Sequence, residues 1–325
     1  MVYYDTTYTN GVIAVREKKL LKDKVFRLCE LGAEEGFRML LDNGFGGGAE
    51  TATSVHDYEK LIVAEENAID GFIREYAPTA SEKGYLLGVR DFHNAKALLK
   101  AAHLGRTAEG MLTSEGLISV DLIADCVKKG DFSGIKELNA YLAAACEEVF
   151  AGLQDGLTGA EVGEIFEKAQ YEYLFSVAKK KPALKKLLSA KVDMTNILTA
   201  FRCTDADVAR KKYLSGGNLS AETLDLLFLS DKETGLEVFG KTQYKGFVAL
   251  CFSAREERKP CTEAEKILGG YEQEYFAERK YELSKNEPFL YYVFRRRQEN
   301  ANVRIAIGCL LAGLSEHETR KRIRL

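Results

Sequence analysis

The stretch Glu299-Asn300-Ala301-Asn302-Val303-Arg304-Ile305-Ala306 decides the fold, because its acid-x-x-Asn step occurs twice more in the chain. Asp91-Phe92-His93-Asn94 runs into Ala95-Lys96-Ala97-Leu98-Leu99, and Asp193-Met194-Thr195-Asn196 runs into Ile197-Leu198-Thr199-Ala200-Phe201. The asparagines stand 102 and 106 residues apart in a chain of 325, close to a third of its length. Self-similarity at a fixed period marks a protein that stacks copies of one supersecondary unit. Pro182 and Pro288 each precede their asparagine by 14 residues, and Pro78 precedes Asn94 by 16. A proline with fixed φ and no N–H suits the opening turn of a helix, so each step is expected inside a long helix opened by a proline.

Outward from these steps the pattern stays helical. In 57–76 the residues Tyr58, Leu61, Ile62, Glu65, Ile69, Phe72 and Ile73 recur at helical spacing. The segment 133–153 reads as one helix through Ile135, Leu138, Leu142, Cys146, Val149 and Leu153. Alternating β-branched runs are scarce and only four prolines occur. The fold class is therefore all-α, with at most a short strand. Gly217-Asn218-Leu219-Ser220 and Gly313-Leu314-Ser315 each predict a turn followed by a Ser-capped helix with acids in its first turn, and Gly116-Leu117-Ile118-Ser119 is a looser version. Three helical lobes are expected, over 1–119, 120–224 and 225–325.

An acid and an asparagine at i and i+3 share one helix face. Asn is costly to bury unpaired, so Asn94, Asn196 and Asn302 are expected to bond neighbouring backbone. Asp91, Asp193 and Glu299 are expected to bond basic partners. A catalytic carboxylate would rarely appear three times in one chain, so the steps read as packing nodes.

Composition narrows the function. Lys and Arg number 46 against 49 Asp and Glu, a net charge of −3, which argues against a strongly basic nucleic-acid binder. No apolar run approaches the ~20 residues of a membrane span, and Met1-Val2-Tyr3-Tyr4-Asp5-Thr6 lacks the plan of a secretory leader. Seven scattered cysteines without a Cys-x-x-Cys pair are expected as reduced, mostly buried thiols. His56, His93, His103 and His317 fit no zinc-ligand spacing, so no metal and no cofactor are expected.

Gly235-Leu236-Glu237-Val238-Phe239-Gly240-Lys241-Thr242 matches the GxxxxGK[ST] phosphate loop literally. Such a loop needs a buried strand before it and small residues within it. Here Leu224–Ser230 reads as helix, and the variable positions are Leu, Glu, Val and Phe. The segment is expected to be a helix C-terminus and turn with Gly240 as the stop. A P-loop NTPase and a general helical-repeat scaffold are the alternatives. Gly44 to Gly48 reads as a mobile loop. The basic runs Lys179-Lys180-Lys181 with Lys185-Lys186, Arg295-Arg296-Arg297 and Arg320-Lys321-Arg322 read as solvated helix faces, or as docking surfaces for an acidic partner.

Tyr291-Tyr292-Val293-Phe294-Arg295-Arg296-Arg297-Gln298-Glu299-Asn300-Ala301-Asn302-Val303-Arg304-Ile305 resembles the signature of the C subunits of V/A-type ATPases, which are related to the d subunit of the eukaryotic vacuolar proton pump. Asp193–Arg202 resembles the family's equivalent segment, and Gly11-Val12-Ile13-Ala14-Val15-Arg16-Glu17-Lys18-Lys19-Leu20-Leu21 its N-terminal helix. The third copy departs in carrying Glu299 where the others carry Asp. The resemblance implies a non-catalytic protein of three lobes around a central funnel. It implies central-stalk subunits of the D/F type in the socket and a membrane ring of proteolipid subunits below. It further implies a peripheral position on the cytoplasmic face of the membrane, with ATP chemistry in other subunits. Arg202, Arg304, Arg295, Arg296 and Arg297 are the candidate partner contacts, Arg202 and Arg304 equally candidates for pairing inside a lobe.

Overall fold

The computed structural model describes residues 5–21, 24–48, 52–282 and 285–323. Met1–Tyr4 of the N-terminal stretch lies outside them. Among the described residues the chain forms α-helices and short 3-10 turns with no strand. The helices are α1 (Thr6–Arg16), α2 (Lys24–Leu31), α3 (Ala33–Asp42), α4 (Tyr58–Tyr76), α5 (Ala80–His103), α6 (Val120–Lys129), α7 (Ser133–Lys136), α8 (Ala140–Gln154) and α9 (Gly159–Val177). They continue with α10 (Pro182–Arg202), α11 (Ala206–Lys212), α12 (Ala221–Leu229), α13 (Lys232–Val238), α14 (Lys245–Glu256), α15 (Thr262–Ala277), α16 (Glu287–Leu311) and α17 (Glu316–Arg320). None of the described helices is long and apolar enough to cross a membrane.

The chain divides into two compact units, one of residues 1–83 with 272–325 and the other of residues 84–271. In the first unit α16 packs on α2, α3 and α4, with Val303, Ala306 and Ile307 set among Leu28, Leu40, Leu61 and Ile62. A pairing of segments more than 200 residues apart has no local signature, so periodicity alone could not reveal it. In the second unit α10 lies against α12 and α14, and Met194, Ile197 and Leu198 meet Leu224, Phe247, Val248 and Phe252.

Local chemistry explains most element boundaries. Pro182 opens α10 and Pro288 lies in the first turn of α16. Pro78 instead lies just before α5 rather than within its first turn. Ser119, Ser220 and Ser315 each cap a helix by accepting a backbone N–H three residues on, and Ser315 and Glu318 close a capping box. The segment 133–153 is two helices, not one. Asn139 has an extended backbone and caps α8 through Leu142 N (3.1 Å), which ends α7 and turns Leu138 outward at 61% exposure. Cys29, Cys126, Cys146 and Cys251 are buried, and Cys203, Cys261 and Cys309 are half-buried, all as free thiols. Burial pushes the Cys146 thiol up to about 12.

Candidate functional site

The repeated steps form two closely matched clamps in the unit of residues 84–271. Asn196, buried on α10, accepts Leu214 N at 2.8 Å and donates to Leu214 O at 2.9 Å. Asn94 on α5 does the same to Thr113, accepting its backbone N–H at 2.9 Å and donating to its carbonyl at 3.4 Å. A primary amide can satisfy both polar groups of one peptide residue in this way. The returning chain is thereby fixed 18 or 19 residues downstream.

In these two clamps the acids Asp91 and Asp193 bond the backbone of a downstream turn. Asp91 accepts Leu117 N (3.1 Å) and Ile118 N (3.2 Å). Asp193 accepts Asn218 N (2.7 Å), Leu219 N (2.9 Å), Asn218 Nδ2 (2.9 Å) and Tyr244 Oη (2.6 Å). Ser119 and Ser220 follow at once as helix caps, so each carboxylate binds the turn that launches α6 or α12. Burial and the bond to Asp193 raise the Tyr244 phenol above its usual range. Tyr244 went unnoticed in the sequence, where it appears only as an aromatic residue just past the phosphate-loop match.

Glycine makes this approach possible. A Cβ at Gly116 would lie 2.1 Å from Asp91 Oδ1, and one at Gly217 would lie 2.3 Å from Asp193 Oδ1. The Gly-x-x-Ser pattern is thus half of the clamp: glycine admits the carboxylate and serine starts the next helix. Gly313, by contrast, has φ of +81° and open space around its α-carbon, so it is a turn glycine only.

The third step is built differently. Glu299 on α16 lies 3.8 Å from Arg296, which also pairs with Glu65 on α4. Glu65 Oε1 accepts Gly46 N at 2.8 Å. This bond and the buried Phe45 hold the glycine-rich segment in a tight turn whose backbone is left-handed at Gly46 and Gly47. A Cβ at Gly46, whose φ is +78°, would meet Leu61 at 2.7 Å. Asn302 Oδ1 accepts Gln298 Nε2 at 3.1 Å on its own helix.

Among the candidate contact residues, Arg304 forks onto Glu59 (3.0 and 3.1 Å) and reaches Glu66 at 3.3 Å. Arg202 pairs with Glu265 at 2.7 Å. Both pairs lie inside their own unit. Arg295 lines a cleft of about 510 Å³ with Tyr281 and Tyr291. Arg295, Arg296 and Arg297 are half-buried, so this run is not a solvated face.

The phosphate-loop match is the end of α13 and a turn, as its bulky residues implied. Phe239 N, Gly240 N and Thr242 N bond the carbonyls of Gly235, Glu237 and Phe239, so these amides are not turned toward a phosphate. The Thr242 hydroxyl donates to Phe239 O at 2.8 Å and accepts Tyr244 N at 3.2 Å. Gly235 sits inside the helix because a Cβ there would meet Phe252 at 2.4 Å. Lys241→Ala is expected to leave ATP binding by the purified chain unchanged at background level. Equilibrium dialysis checks this, and saturable binding lost in the variant would refute it.

The fold and the clamps define an all-α protein in which two acid-x-x-Asn steps hold buried backbone turns. The ATP synthase (C/AC39) subunit family profile matches residues 9–322, so the chain belongs to that family, the C subunits of V/A-type ATPases. It is similar to the V-type ATP synthase C subunits of two strains of Thermus thermophilus, at 28% identity over 223 residues in each case. The aligned part covers 66% of this chain and 68% of each relative.

Proposed function

We infer that the chain is the non-catalytic coupling subunit of a V/A-type rotary ATPase. It acts as a rigid adaptor that joins the central stalk to the membrane rotor ring and transmits torque for ion transport. The observation that carries this reading is the family match over 9–322. In this reading three lobes, 1–119, 120–224 and 225–325, surround a funnel that receives D/F-type stalk subunits, above a ring of proteolipid subunits on the cytoplasmic face of the membrane. ATP is made or split in other subunits. The role needs stiffness more than chemistry, because packed interiors transmit load with little deformation. Asp91, Asn94, Asp193, Asn196, Glu299 and Asn302 are the stiffening nodes, with the clamps supplying support through buried backbone bonds. Arg202 and Arg304 brace their units; of the Arg295–Arg297 run proposed to face a partner, Arg295 and Arg297 do so while Arg296 is held by Glu65 and Glu299.

Purification of the affinity-tagged chain from its native membranes tests the assignment. The expected result is recovery of stalk and ring subunits with one copy of this chain per complex. Recovery in a soluble assembly lacking both would overturn it.

A further inference from the structure

We propose that the cleft between α8 and α9 is a docking groove for a lysine- or arginine-bearing amphipathic helix of a protein partner. The groove, open to solvent along the seam where α8 packs on α9, measures about 660 Å³ and lies wholly within the unit of residues 84–271. Its walls carry Ala140, Ala144, Ala145 and Ala169, with Ile165 and Leu157 toward one end. Methyl-sized side chains let another helix come close to both backbones, and the aliphatic residues give it apolar contact. α8, at 15 residues, is about 22 Å long, enough for roughly four turns of a partner helix.

Charge selects the occupant. Glu161, Glu164 and Glu172 line the α9 side at helical spacing, and Glu148 lies on the α8 side. Lys168 is the one cation among the residues lining the cleft, and its Nζ donates to Lys211 O at 2.6 Å. Glu164 is engaged with Lys212 at 2.6 Å and Glu161 with the Thr158 cap at 2.8 Å. Glu148 and Glu172 are left with no ion pair or hydrogen bond among the described residues. A net negative rim around an apolar floor attracts a helix with an apolar seam flanked by cations, and it repels phosphate-bearing lipid or nucleic acid.

The proposal stands independently of the rotary role, and its test uses the isolated full-length chain, so the two readings fail separately. The probe is a fluorescein-labelled synthetic helix of 18 residues, with leucines along one seam and lysines flanking it, followed by anisotropy. Binding is expected to weaken at least tenfold in Glu148→Lys/Glu172→Lys and in Ala144→Trp, which fills the floor. All these positions are exposed, so far-ultraviolet circular dichroism should match the parent chain. A peptide with glutamate in place of every lysine should not bind. Absence of binding to the parent chain, or equal binding by the charge-reversed and floor-filled variants, would overturn the proposal.

Discussion

Asp193→Ala is expected to destabilise the chain by about 3–5 kcal/mol, because it strips the acceptor from two backbone amides, an amide side chain and a phenol at a fully buried site. Each buried donor left unpaired costs about 1–3 kcal/mol, and the losses share one site, so they do not simply add. Gly217→Ala should cost a comparable amount for the opposite reason. Its Cβ would occupy space 2.3 Å from the same carboxylate oxygen and 3.0 Å from Val192 Cγ1, forcing turn and carboxylate apart. The two changes break one contact, so the double variant should be more stable than the sum of the single losses implies, by about 1–3 kcal/mol. Urea unfolding gives the cycle, and hydrogen exchange at the amides of Asn218 and Leu219 locates it. Additive losses, or unchanged protection at those amides, would show that carboxylate and glycine do not act as a pair.

The second large effect is expected at Arg296. This guanidinium is mostly buried between Glu65 and Glu299, and burial holds its pKa below the usual arginine range. Arg296→Met removes the buried cation that Glu65 and Glu299 both face, a change worth about 3–5 kcal/mol. Changing Glu65 to Gln in the same chain should recover part of the loss, since one buried negative charge goes with it. Glu65 also accepts Gly46 N, so the turn at 45–48 should gain proteolytic sensitivity in Arg296→Met. Equal urea midpoints for parent and Arg296→Met would mean the cluster contributes nothing to stability.

These two sites show what the sequence could and could not convey. The acid-x-x-Asn steps were visible because helical spacing places both side chains on one face, and the three Ser caps because local chemistry fixes them. The partners of the acids were not visible. A backbone amide 25–27 residues downstream leaves no trace in residue type, and glycine looks alike whether it serves a turn or a close approach. Gly217 does the second and Gly313 the first. The break at Asn139 was missed because the apolar period continues through Leu138 although the helix does not. The unit joining α16 to α2, α3 and α4 depends on packing between distant segments, which periodicity cannot encode. The phosphate-loop match was readable because bulky residues sat where a phosphate needs bare backbone.

The coupling role is tested most directly by measuring ATP hydrolysis and ATP-driven ion uptake together, in membranes that lack this chain and after the purified chain is added back. Torque transfer without catalysis predicts that hydrolysis persists in the chain's absence while uptake collapses, and that uptake returns at one added copy per complex, equally with Lys241→Ala. Uptake that proceeds normally without the chain would contradict the account.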